Sequence, residues 1–178
     1  MSAPSDRLLL VLDIQKEYQA AGRPYYISGI EASLANARRV LDHARKNNWP
    51  IVHVKHLQEG DLFGKLSPLS DYIVGFEPQP GETECVKSDY SCYSSQDFIE
   101  RMKRHPAAEI VVIGYGSTKC CLATIVEGYH RGQKFLLVNV ASAAKRSSAF
   151  DENSLHAHAS DILAAYSRVT DTELLLRP

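Results

Sequence analysis

EIVVIGYGSTKCCLATIVEGYHRG, residues Glu109 to Gly132, is the stretch that decides how this chain folds. Ile110 to Ile113 form a continuous apolar run closed by Gly114 and Gly116, which reads as a buried strand ending in a tight turn. A helix is expected to follow. Ser117 or Thr118 offers a side-chain oxygen to cap its first turn, Leu122, Ile125, Val126 and Tyr129 recur at helical spacing as the sheet-facing stripe, and Gly132 supplies the stop. Cys120 falls in the first turn, where unpaired backbone N–H groups and the helix dipole favour a thiolate. Cys121 falls on the apolar stripe and is expected to be a small core residue. The stretch reads as a nucleophile on a strand-to-helix turn.

Upstream, Arg7 to Asp13, RLLLVLD, is an apolar run ended by a carboxylate, as expected of a strand covered on both faces. Ile30 to Lys46 keeps a helical period, and IVHV after Pro50 reads as the next strand, completing a βαβ unit. The long segment from Leu57 to Gly81 is expected to be an ordered excursion carrying binding or subunit contacts. Glu84 to Val86 is a short strand ended by Lys87, followed by a helix from about Gln96 to Arg104. Downstream, KFLLVNV from Lys134 reads as a buried strand, the loop AKRSSAFDEN leads to a helix carrying Leu155 and Leu163, and Arg168 to Leu175 reads as a last edge strand. Strands alternating with helices predict an α/β fold, a mostly parallel sheet with helices on both faces. Ligands bind such sheets outside the carboxyl ends of the strands, where Asp13, Lys87 and Cys120 all fall.

A thiol, a carboxylate and an ammonium in one crevice make a coherent set: the sulfur attacks an electrophilic carbon, the carboxylate moves the proton, and the cation stabilises negative charge. Alone, each has a blander reading, as a small buried hydrophobe, a strand-end cap and a solvated charge; their joint placement favours catalysis. Backbone N–H groups of Gly116 and Cys120 are the expected oxyanion hole.

Four blocks of the sequence resemble the isochorismatase-like cysteine hydrolases, a family that includes nicotinamidases, carbamoylsarcosine amidohydrolases and ureidoacrylate hydrolases. They are LLLVLDIQKEY (Leu8 to Tyr18), FEPQPGETECVKSDYSCYSSQDF (Phe76 to Phe98), VVIGYGSTKCCLATIVEGYHRG (Val111 to Gly132) and FDENSLHAHASDILAAYSRVTDTEL (Phe150 to Leu174). The resemblance maps the family's aspartate to Asp13, its lysine to Lys87 and its nucleophile to Cys120. It implies a six-stranded sheet in a three-layer α/β/α fold and a substrate pocket involving Gln15, Tyr18, Tyr90, Tyr93 and Tyr115. It also implies that the Tyr115–Gly116 peptide is cis. The sequence departs from the family pattern at Cys121, Val140 and Gln96, where valine, aspartate and threonine are usual. The Asp and His that hold a metal in nicotinamidases are missing from VHVKHLQEG, which argues against nicotinamide as substrate. Family members that hydrolyse the vinyl ether of isochorismate need not keep the cysteine, so Cys120 favours amide or carbamoyl C–N cleavage. Vinyl-ether hydrolysis, and a non-catalytic binding protein on the same fold, remain the alternatives.

Length and charge set outer bounds. The 178 residues suit a single domain spanning the whole chain, and a formal net charge of −1 gives no electrostatic footprint for nucleic acid or a membrane surface. Four cysteines without a regular framework, and no apolar leader in MSAPSDR, fit a cytoplasmic protein with free thiols. Its expected partners are a small-molecule substrate and other copies of itself, as a dimer or tetramer. No cofactor is expected. His53 and His56 point to opposite faces of their strand and His156 and His158 diverge on their helix, so no metal pair is expected. GYGSTK lacks the glycine and lysine order of a dinucleotide or phosphate loop. Tyr25 and Tyr26 read as packing or interface residues, and Cys85 and Cys92 as structural, with Cys92 near the pocket.

Overall fold

A computed structural model describes residues 7–177. Six parallel strands, β1 (Arg7–Leu12), β2 (Ile51–His56), β3 (Thr83–Lys87), β4 (Glu109–Tyr115), β5 (Lys134–Ala143) and β6 (Arg168–Thr170), form one sheet in the order β3-β2-β1-β4-β5-β6. Strand periodicity splits the core into two layers, because alternate side chains leave opposite faces. Leu9 and Val11 of β1 join Val111, Ile113 and the helix α1 (Glu31–Lys46) on one face. Leu8, Leu10 and Leu12 join Val112 and the helices α2 (Gln96–Lys103), α3 (Cys120–His130) and α4 (Glu152–Leu163) on the other. The result is the expected three-layer α/β/α arrangement. After β1 the chain builds outward through β2 and β3 and then returns to place β4 on the other side of β1, so a crevice opens at the strand ends between β1 and β4.

Gly114 is what lets β1 and β4 close up there. It has φ +127°, and a Cβ on it would collide with the Leu12 backbone, so no other residue fits. The ladder to β5 slips at this point, between Val112 and Gly114.

Four expectations about local structure are corrected. The Tyr115–Gly116 peptide is trans; positive φ at Gly114 and Gly116 turns the chain instead. Neither Ser117 nor Thr118 caps α3: the Gly116 carbonyl accepts the Lys119 and Cys121 amides at 2.8 and 3.0 Å, and the Ser117 hydroxyl pairs with His156 Nδ1 at 2.9 Å. The buried stripe of α3 is Cys121, Thr124, Ile125 and Gly128, while Tyr129 is half exposed and packs edge-on against Tyr166. The strand expected over Arg168 to Leu175 stops at Thr170, because Asp171 accepts the Leu174 amide at 2.7 Å and starts the short helix α5 (Thr172–Leu175).

Gly128 makes the α3 contact possible, since a Cβ there would run into the Phe135 ring and Tyr93 Oη. Gly128→Ala is therefore expected to destabilise the protein by about 1–3 kcal/mol through overpacking, despite the better helix propensity of alanine. A melting temperature equal to or above that of the unmodified protein would show that the contact relaxes at no cost.

Candidate active site

Asp13 follows directly on β1 with φ +52°, a left-handed conformation that aspartate tolerates better than most residues. Its amide still bonds the Val54 carbonyl at 2.9 Å, so the chain turns while anchored to β2. Lys87 is the last residue of β3, and its ammonium lies 2.9 Å from Asp13 Oδ2; both side chains are fully buried. Asp13 Oδ1 has no hydrogen-bond partner among the described residues. Burial alone would discharge Lys87, but the Asp13 carboxylate outweighs it and raises the lysine above its ordinary range.

Cys120 opens α3, with Sγ 3.4 Å from Lys87 Nζ. Here the structure reverses an expectation. Burial first, and then the negative charge of Asp13, push the thiol well up, and Lys87 only partly opposes them. The resting sulfur is therefore a neutral thiol beside a carboxylate able to take its proton. The Cys120 amide, between the two that bond Gly116, donates to no acceptor among the described residues. The absent side chain of Gly116 keeps that corner open: a Cβ there would stand 3.3 Å from the Cys120 nitrogen and 3.4 Å from Tyr18 Oη.

Cys121 turns the other way. Its sulfur lies 3.6–3.9 Å from the Tyr115 and Gly114 carbonyls and Ser142 Oγ, fully buried, and burial pushes its pKa up to about 12. Cys85 is pushed up to about 11, and Cys92 higher still, again chiefly by burial. The sign of the consequence is fixed. A thiol that ionises near pH 8.5 in the unfolded chain but stays protonated in the fold stabilises fully below that pH and loses its contribution above it, at about 1.4 kcal/mol per pH unit. Melting temperature is therefore expected to fall steeply between pH 8.5 and the region of pH 11–12 marked by Cys85 and Cys121. A flat profile would mean that the thiols reach water.

A cavity of about 310 Å³ opens above Cys120, lined by Tyr18, Tyr25, His56, Gln58, Phe63, Ser88, Asp89 and Tyr90. Of the expected pocket residues, Tyr18 and Tyr90 are there and three are not. Gln15 spends its side chain on backbone, bonding the His56 amide and carbonyl at 2.9 and 3.0 Å and the Ser70 carbonyl at 2.8 Å. Tyr115 turns under α1, with its hydroxyl 3.0 Å from Ser33 Oγ, and backs the pocket only through its ring contact with Tyr18. Tyr93 packs edge-on against Phe98 beneath Arg131, on the far side of α3. Cys92 is sealed off, with its amide bonded to Thr124 Oγ1. Tyr25, expected to pack or to sit at an interface, lines the cavity and meets Phe63 edge-on. His56 and Phe63 were missed. His56 carries the same signal that singled out Asp13 and Lys87, a polar residue at a strand's C-terminal end, whereas Phe63 lies in the long excursion, where no periodicity marks it.

Asp13, His56 and Cys120, residues of three different segments, present ligand-type atoms within 4.8 Å of one another. The geometry does not make them a metal centre. Lys87 Nζ stands 2.9 Å from Asp13 Oδ2, 3.0 Å from His56 Nδ1 and 3.4 Å from Cys120 Sγ, so a fixed positive charge already occupies the point on which the three converge.

Fold and site together define a three-layer α/β protein with a buried thiol, carboxylate and ammonium at the carboxyl ends of its strands. The family model described as the isochorismatase domain matches residues 7–173, and the chain belongs to that family, a family of hydrolases. Among its relatives, a secreted isochorismatase effector of Verticillium dahliae is 31% identical over 133 residues, covering 74% of this chain and 69% of that one. The maleamate amidohydrolase of Pseudomonas putida is 22% identical, covering 82% and 76%. A crystal structure of an isochorismatase from Pseudomonas putida superposes with a TM-score of 0.86 at 26% identity, covering 98% of this chain and 93% of that one. Among the described residues, no helix is long and apolar enough to cross a membrane.

Proposed function

We propose that this hydrolase cleaves the C–N bond of a small amide or carbamoyl substrate, using Cys120 as nucleophile, Asp13 as proton carrier and Lys87 as electrostatic partner of both. The observation that carries this reading is the position of one ammonium, 2.9 Å from the carboxylate and 3.4 Å from the sulfur, at the floor of a cavity with aromatic walls. Relatives named as amidohydrolases act in the same direction.

The carbonyl carbon of the substrate enters above Sγ. As sulfur attacks, Asp13 takes the thiol proton, and the developing oxyanion is met by the Cys120 amide together with that of Gly116. Collapse of the tetrahedral intermediate breaks the C–N bond, with Asp13 returning the proton to the leaving nitrogen. Water then attacks the thioester, again losing a proton to Asp13, and the acid leaves as sulfur regains its hydrogen. One water is consumed, and an acid and an amine or ammonia are formed. Tyr18, Tyr25 and Phe63 exclude water and favour a flat substrate.

Intact-mass measurement after rapid quenching with a panel of small amides and carbamoyl acids should show an acyl adduct on Cys120. Turnover of isochorismate with no adduct on any amide would move the protein to the vinyl-ether class. Because Lys87 supplies the positive charge, the reaction is expected to need no metal; dialysis against a chelator should leave kcat unchanged, and a loss restored by zinc would overturn this.

A further inference from the structure

His56 closes β2 and is the register partner of Lys87 on β3. The Lys87 ammonium has three hydrogens and no lone pair, so every group it meets at hydrogen-bond distance must accept. His56 Nδ1 at 3.0 Å, the Asp89 carbonyl at 3.0 Å and Cys120 Sγ at 3.4 Å take its three hydrogens, and Asp13 Oδ2 at 2.9 Å meets the cation as an ion pair. Nδ1 of His56 must then present its lone pair, which puts the ring proton on Nε2. An acceptor is waiting there: Gln58 Oε1 lies 2.9 Å away. Phe63 meets the imidazole edge-on, with ring centroids 5.3 Å apart, and holds the ring in place. Contacts at both nitrogens thus select one neutral tautomer.

We propose that His56 is a positioning residue for the thiol chemistry, a neutral acceptor that locks the Lys87 ammonium beside the sulfur; this deepens the proposed function and rests on its Asp13, Lys87 and Cys120 assignment. When Asp13 takes the thiol proton, its carboxylate becomes neutral and its grip on Lys87 weakens, at the moment the new thiolate most needs the cation. His56 and the Asp89 carbonyl are neutral throughout, so their hold does not change. A lysine held by Asp13 alone would be free to drift during that step; with two further acceptors it stays.

Two readouts test this without any substrate. Nitrogen-15 NMR of the histidine rings at pH 7.5, with the His56 signals identified by their loss in His56→Asn, should show a proton on Nε2 and a bare, hydrogen-bonded Nδ1. A proton on Nδ1 would overturn the proposal outright. The second readout is the rate at which iodoacetamide alkylates Cys120, followed by peptide mapping. His56→Leu should slow it by about 10- to 100-fold, the loss typical of a misplaced site group. His56→Asn, whose amide oxygen can accept near the former place of Nδ1, should recover most of that rate. Equal rates in the Leu variant and the unmodified protein, or an Asn variant as slow as Leu with the same melting temperature, would reduce His56 to a cavity wall. If His56→Leu does not fold, the tautomer measurement on the unmodified protein still decides. Failure of the proposed function would appear elsewhere, as absence of any acyl adduct on Cys120.

Discussion

Cys120→Ala is expected to lower hydrolysis by roughly 10⁴-fold or more, because Cys120 is the thiol that lines the cavity beside both the carboxylate and the ammonium. Cys121→Ala is expected to leave kcat within about twofold and to cost about 1 kcal/mol of stability, the ordinary effect of trimming a buried side chain. The two thiols are neighbours in sequence with opposite surroundings. Cys120 Sγ faces Lys87 and the cavity, while Cys121 Sγ is enclosed by the Gly114 and Tyr115 carbonyls and Ser142. Both are raised by burial, so neither is a free thiolate at neutral pH; only Cys120 has a carboxylate and an ammonium placed to let it become one as it attacks. Kinetics of both variants, with peptide mapping of the acyl adduct, check this. An adduct on Cys121 would reverse the assignment, and full amide turnover by Cys120→Ala would remove covalent catalysis altogether.

Lys87→Met is expected to lower kcat by about 10²- to 10³-fold or more, the usual loss when one preorganised electrostatic partner of a transition state is removed. It should also cost stability. Lys87 and Asp13 are an ion pair with both side chains fully buried, and stranding one charge of such a pair costs about 3–5 kcal/mol. Because Lys87 is raised above its ordinary range, its stabilising charge is complete throughout the neutral region and is lost only as pH climbs into the strongly alkaline range. The defect should therefore appear at every neutral assay pH. The double variant Asp13→Asn/Lys87→Met separates the two effects: with no charge left stranded, its melting temperature should recover, while its activity should not. Near-normal kcat in either variant would show that the cation takes no part in the chemistry.

Much of this is legible in the sequence. Ile110 to Ile113 and Leu8 to Leu12 are strands because uninterrupted apolar runs can be buried on both faces; Asp13 and Lys87 stand out because each ends a strand, and Cys120 because it opens the helix after the glycine turn. The same logic applies to His56, but along the sequence His56 stands beside His53, and only the sheet register puts it beside Lys87. Gln15, Tyr93 and Tyr115 occupy the expected positions and turn away, since spacing along the chain says where a Cα lies and not where its side chain finds a partner. The thiol's protonation was misread for a related reason. A helix N-terminus is a local feature, whereas burial and the Asp13 charge that outweigh it arise only when distant segments meet.

By itself, the sequence determined the order of strands and helices as far as β6, the glycine turn before α3, and which three polar residues lie at the carboxyl ends of strands, because periodicity and turn chemistry act over a few residues. Only the tertiary structure decided that one ammonium would touch Asp13, His56, Asp89 and Cys120 together, that Tyr25 and Phe63 would wall the cavity, and that the resting sulfur would keep its proton. Those outcomes depend on contacts between segments as far apart in the chain as Asp13 and Cys120 and on the exclusion of water, which strengthens every charge interaction in the site at once and which no local pattern records.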